Sequence, residues 1–193
     1  MKPLNPEKRY LFPDDYMADP SVHVFNGRIY IYPSHDWECE NVENDNGDQY
    51  VMKDMHVLSI DGDPMTGKVT DHGKALDIAD IPWAGRQLWD CDCNEKDGKY
   101  YFSYSTGDSH LLCYAIGDNP YGPFVYQGVI LTPVVGWTTH HCIIEYNGKW
   151  YLFHHDSVPS GGKSWLRSLK VCELTYDADG HILPIDGGGE SAE

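Results

Sequence analysis

The chain has 193 residues, enough for one sizeable hydrophobic core, and reads as a single domain over 1–193. Its 30 Asp and Glu against 14 Lys and Arg give a formal net charge of −16, which repels a nucleic-acid backbone and excludes that partner class, whereas neutral sugars feel no such repulsion. The leading MKPLNPEKRYLFPDDY has no apolar signal core and no run approaches the roughly 20 apolar residues of a membrane span, so the expectation is a soluble, cytoplasmic protein with no membrane partner.

In chain order, the first element is Phe25-Asn-Gly-Arg-Ile-Tyr-Ile-Tyr32, and it recurs as Lys96-Asp-Gly-Lys-Tyr-Tyr-Phe-Ser-Tyr104 and as Tyr146-Asn-Gly-Lys-Trp-Tyr-Leu-Phe153. Each is Asn-Gly or Asp-Gly followed by β-formers, the strongest short-range hairpin signal. After each hairpin a polar loop leads to a further strand pair, at His56–Ile60, Leu111–Ala115 and Ser168–Leu174. Four strands per unit, repeated, predict an all-β propeller with blades at about 17–80, 86–134 and 137–185. A β-sandwich is the competing fold, but it does not call for the same aromatic hairpin in every unit. Propellers close with about 4 to 8 blades. Three blades leave apolar faces uncovered, so a homo-oligomer is expected, with a dimer bringing the blade count into that range.

The six cysteines are too scattered for a disulfide scaffold, and Cys91 and Cys93 alternate with Asp90 and Asp92 as small strand residues rather than zinc ligands.

The first strand of each blade lines a propeller's axis, so residues ahead of each turn glycine converge there. Asp19 stands eight residues before Gly27, Asp92 six before Gly98 and His141 seven before Gly148, with Asp90 and His140 beside the latter two. Offsets of mixed parity require bulges if all these side chains face the axis. Taken singly, Asp19 reads equally as a turn residue before Pro20, Asp90 as a solvated edge group and either histidine as a satisfied core residue. Two carboxylates about 6.5 to 9.5 Å apart are what an inverting glycosidase needs. Trp37, Trp83, Trp89 and Trp137 are available to stack on sugar rings, although each is as readily core packing.

At these residues the sequence resembles glycoside hydrolase family 43, five-bladed propellers that act as β-xylosidases, α-L-arabinofuranosidases and arabinanases. Ala18-Asp-Pro-Ser21 is similar to the start of the family's first blade, and Met55-His-Val-Leu-Ser59, Gly67–Gly73, Ile81–Arg86 and Leu88–Asp92 to its first and second. Gly136–His141 and Leu166-Arg-Ser168 resemble its last blade. The resemblance implies an O-glycosyl hydrolase acting on arabinose- or xylose-containing plant glycans, with Asp19 as general base and Asp92 as the carboxylate that orients substrate and tunes the acid. It also implies sugar contacts from His35, Asp36, Trp89, His140 and Arg167, and His141 at an axial water or calcium site, with no cofactor otherwise required. The family's general acid, a Glu usually within Glu-Gly-Pro, has no counterpart: Gly122-Pro123 follows Tyr121, and Glu95 and Glu145 lie too near their turns. The chain passes from second-blade to fourth-blade sequence inside the hairpin Gly98–Phe102, as if about two blades were lost. The alternative is a non-catalytic sugar-binding or structural fragment that self-assembles.

Overall fold

A computed structural model describes residues 8–108, 110–137 and 139–190. The reading of Met1–Glu7, and the Ser109 and Thr138 positions of the stretches above, lie outside the described residues. Three antiparallel sheets make up the fold, with single 3₁₀ turns at Ile78–Asp80 and Val158–Ser160. The first sheet runs β1 (Tyr16–Phe25), β2 (Arg28–Asp36), β3 (Asp54–Asp61), β4 (Lys68–Asp77), and the second β5 (Leu88–Lys96), β6 (Lys99–Thr106), β7 (Leu112–Gly117), β8 (Val125–Leu131). The third has β9 (Cys142–Tyr146), β10 (Lys149–Asp156) and β11 (Ser168–Leu174), one strand fewer than the repeat predicts among the described residues. Beyond Leu174 the chain returns to the second sheet, bridging Leu131 with Ile185 and Val134 with Gly188. Pro184 lacks a donor and Gly187–Gly189 has no side chains to pack, so this segment cannot sustain a ladder of its own.

These sheets are blades of a propeller, each starting on an inner strand, with β5 packed against β1 and β2 on one side and β9 on the other. Period-2 alternation explains why β6 carries aromatics on both of its faces, at Tyr100, Tyr101, Phe102 and Tyr104. It sends Tyr100, Phe102 and Tyr104 into the core shared with Tyr30, Tyr32, Met55 and Val57 of the first sheet. Tyr101 points the other way, to the core shared with Ile143, Leu152 and Leu174 of the third. Both faces of the second sheet are therefore buried. The outer face of the third is not: Ile144, Phe153, Val171 and Leu169 share it, and Leu169 is 88% exposed.

All three repeated hairpins close the same way. Asn26 and Gly27 have φ of 52° and 76°, Asp97 and Gly98 54° and 76°, and Asn147 and Gly148 53° and 76°. Positive φ at both central residues is the type I′ turn whose twist matches the strands. A Cβ at Gly98 would meet nothing within 4 Å, so only backbone preference opposes substitution there. Gly98→Ala is expected to lower the unfolding free energy by about 1–2 kcal/mol. Urea denaturation measures this, and an unchanged midpoint would contradict the turn assignment.

Candidate active site

The inner strands β1 and β5 break register at matching points, between Ala18 and Ser21 and between Trp89 and Asp92. Each bulge holds an aspartate in the left-handed region, Asp19 at φ 49° and Asp90 at φ 53°, a conformation Asp tolerates better than most residues. Asp90, not Asp92, is thus the counterpart of Asp19. Counted back from the turn glycines, Asp19, Asp90 and His140 all stand at eight residues, and this constant offset is the sequence signal that marks them as one set.

Ser34 Oγ joins two of the three. It donates to Asp19 Oδ2 at 2.9 Å and accepts the Asp90 backbone N–H at 2.9 Å. Asp90 Oδ1 lies 2.9 Å from His140 Nδ1, and its Oδ2 3.4 Å from His141 Nδ1. Burial pushes the Asp90 carboxyl up, but the bonds from His140 and His141 and their charges more than reverse this and hold it well below the usual carboxylate range. Asp19 and His140 both line a cavity of about 500 Å³, together with Trp89, Trp137, Tyr50 and Asp45. That volume is within the range of small-ligand sites, and its two indoles offer apolar faces beside polar groups, as sugar binding requires.

Several expected site residues do other work. Asp92 is buried and does not line the cavity. Its Oδ1 accepts from Ser21 Oγ at 2.8 Å, His23 Nε2 at 2.6 Å and Cys93 N at 2.9 Å, while Oδ2 accepts from Ile143 N at 3.0 Å and Asn94 Nδ2 at 3.3 Å. Those donors come from all three sheets, so the carboxylate is saturated and ties the blades together. Burial raises its pKa, but His23, the His141 charge and the Ile143 N–H outweigh that and leave it lowered.

His35 is also buried away from the cavity. Its Nδ1 is 2.6 Å from Asp54 Oδ1 and its Nε2 3.2 Å from Asp15 Oδ2, and Asp54 Oδ1 also accepts the Trp37 indole N–H at 2.8 Å. His35 and Trp37 therefore brace the first sheet. Trp83 donates to Tyr126 Oη at 3.1 Å and lies outside the cavity. Asp36 is half-buried on the Ser34 face of β2 without lining the cavity, and burial followed by the Asp19 charge raises its pKa. Arg167 is exposed in the loop before β11 and likewise does not line the cavity.

His141 does not suit a calcium site. Its Nε2 lies 2.7 Å from Ser103 Oγ and its Nδ1 faces Asp90, so both nitrogens are engaged, and its side chain is fully buried. Calcium prefers oxygen ligands. No group of three close metal-binding side chains occurs at the axis among the described residues; one such group is His35, Asp54 and His56 inside the first sheet.

No protein-family model matches the sequence. The chain is 42% identical to a xylosidase/arabinosidase of Bacteroides ovatus, covering 97% of this chain and 100% of that protein. It is 34% identical to a family 43 β-xylosidase/α-arabinofuranosidase from a compost microbial metagenome, solved with xylotriose, covering 93% and 97% with a TM-score of 0.47. A family 43 arabinoxylan arabinofuranohydrolase from Bacillus subtilis, solved with cellotetraose, shares the fold at 20% identity and a TM-score of 0.66, covering 98% and 40%. An axial carboxylate at an indole-lined cavity between blades places the chain in the class of β-propeller glycosidases. It belongs to glycoside hydrolase family 43, among the xylosidases and arabinosidases. The alignment with the Bacteroides ovatus protein spans 326 residues while this chain has 193, so that relative carries internal sequence with no counterpart here.

Asp92→Ala removes one side of a buried, charge-assisted set and is expected to cost about 3–5 kcal/mol in urea unfolding. The Asp90 and Asp92 carboxyls sit lower in the folded than in the unfolded chain. Their stabilisation is therefore present above the unfolded value of about 3.9 and is lost as pH falls through the folded values. Stability of the parent chain should drop steeply between about pH 5 and pH 2, and that of Asp92→Ala less steeply. Parallel pH profiles would show that Asp92 is not a stabilising anion.

Proposed function

We propose that the chain releases xylose or arabinose from the ends of xylan- and arabinoxylan-derived oligosaccharides by inverting hydrolysis, with Asp19 as the general base. The observation that carries this reading is the Asp19 carboxylate, held by Ser34 on a strained bulge and presented to the cavity that Trp89 and Trp137 line. A carboxylate so placed can take a proton from water as that water attacks the anomeric carbon. The strongly acidic surface suits a neutral glycan, and the names of the relatives point to the same substrates. All six cysteines are free, which suits a reducing compartment, so we place the reaction in the cytoplasm on oligosaccharides.

No Glu lines the cavity among the described residues. Loss of a general acid lowers rates by about 10²–10⁴, least where the leaving group needs no proton. Aryl xylosides and arabinofuranosides are therefore the substrates on which activity will be greatest relative to the natural glycosides. Asp19→Ala is expected to abolish this hydrolysis while xylotriose still binds in calorimetry. Binding with no turnover on any aryl glycoside in the parent chain would instead establish a non-catalytic sugar-binding protein.

The chain is also proposed to act as a homodimer. The exposed outer face of the third sheet, with Ile144, Phe153, Val171 and Leu169, and the exposed Val22 and Val24 of β1 are apolar blade surfaces without a neighbour. A second copy offers matching faces and completes a closed set of blades. Light scattering at micromolar concentration is expected to give a dimer that Leu169→Asp with Val171→Lys converts to a monomer. A monomeric parent chain would overturn this.

A further inference from the structure

We propose that His140 is the proton donor to the leaving-group oxygen in this chain, with Asp90 as its positioning residue; the inference rests on the glycosidase reading above. Three observations carry it. His140 holds in the third blade the place that Asp19 and Asp90 hold in the first two, eight residues ahead of the turn glycine, and it lines the same cavity as Asp19. Its Nδ1 is 2.9 Å from the buried Asp90 carboxylate, and its own backbone N–H donates to His155 Nε2 at 3.0 Å, so both ring and main chain are held. Its side chain is nevertheless 53% exposed, and no described residue bonds its Nε2, which leaves that nitrogen open to a ligand.

An imidazole bonded through Nδ1–H to a carboxylate keeps Nε2–H for transfer. As the bond from the anomeric carbon to the glycosidic oxygen breaks, the Nε2 proton passes to that oxygen. Asp19 takes a proton from the attacking water, whose oxygen forms the new bond. The cycle leaves a neutral imidazole and a protonated Asp19, and solvent exchange restores both, so that one water is consumed and two hydroxyls are made. Asp90 stays ionised throughout.

The charged and titratable groups around His140 are Asp90 on β5, Asp19 on β1, His155 on β10, the adjacent His141 and Arg167 ahead of β11, with Asp45, Tyr50, Arg86 and His110 from the cavity wall. The bond to Asp90 raises the His140 pKa, and with the charges of Asp90 and Asp19 it outweighs burial and Arg167. His140 therefore stays protonated above the ordinary imidazole range of about 6.5.

The test uses the full chain with 2,4-dinitrophenyl and phenyl β-D-xylosides, whose leaving groups differ in their need for a proton. His140→Gln is expected to lose about 10²- to 10³-fold in kcat/KM on the phenyl substrate but less than about tenfold on the dinitrophenyl one, and to lose the alkaline limb of the pH profile. Asp90→Asn should move that limb to lower pH, a change that simple loss of packing would not produce. Equal losses on both substrates, or the leaving-group signature appearing in Asp45→Asn and not in His140→Gln, would overturn the proposal and leave Asp19 as base untouched. No turnover of either substrate by the parent chain would overturn the glycosidase reading itself, and turnover that Asp19→Ala leaves unchanged would overturn Asp19 as base.

Discussion

The buried carboxylate of Asp92 is a group that all three sheets share. A complete propeller holds its blades by packing each against two neighbours around a ring, and three blades lack that closure. Here one anion accepts hydrogen bonds from β1 through Ser21 and His23, from its own β5, and from the backbone at the start of β9 through Ile143. An unpaired buried charge would be costly, but five donors offset that cost. Ser21 and Asp92 are also the residues at which β1 and β5 resume their register after the bulges. Bonding them to each other locks the two bulges side by side, and that lock brings Asp19 and Asp90 to the axis.

Much of the architecture was legible. The Asn-Gly and Asp-Gly repeats located all three hairpins, because a turn with positive φ at both central residues accepts few other dipeptides. The alternating aromatics of β6 marked a sheet buried on both faces. That the third unit stops at three described strands was not legible, since it depends on Pro184 and the glycines after it meeting the chain around β8 only in isolated bridges. Within the candidate site, residue type alone could not separate Asp90 from Asp92. Both are buried aspartates on one strand, and only the bulge decides which meets His140 and His141 and which is consumed by donors from all three sheets. His35 illustrates the same limit: an imidazole between two carboxylates has the composition of a binding site and the geometry of a brace.

The second sheet carries the chain's most unusual feature. Its inner strand resembles the family's second blade and its following strands the fourth, yet β5 and β6 pair from Lys96 and Lys99 to Leu88 and Thr106 and bury a continuous core. A hairpin closed by Asp97 and Gly98 is a local structure, and the alternating faces of β6 need only apolar partners on both sides, so strands of different origin can share it. The consequence falls on chemistry more than on folding. Among the described residues no glutamate lines the cavity, and the third blade's His140 does.

The most direct measurement of the account is the anomeric configuration of the first-formed product, followed by proton NMR during hydrolysis of an aryl β-D-xyloside by the full chain. Attack by a water that Asp19 activates, on the face opposite the leaving group, predicts that α-xylose appears first and then mutarotates. Initial release of β-xylose would contradict the assignment of Asp19 as base and require a covalent or dissociative route.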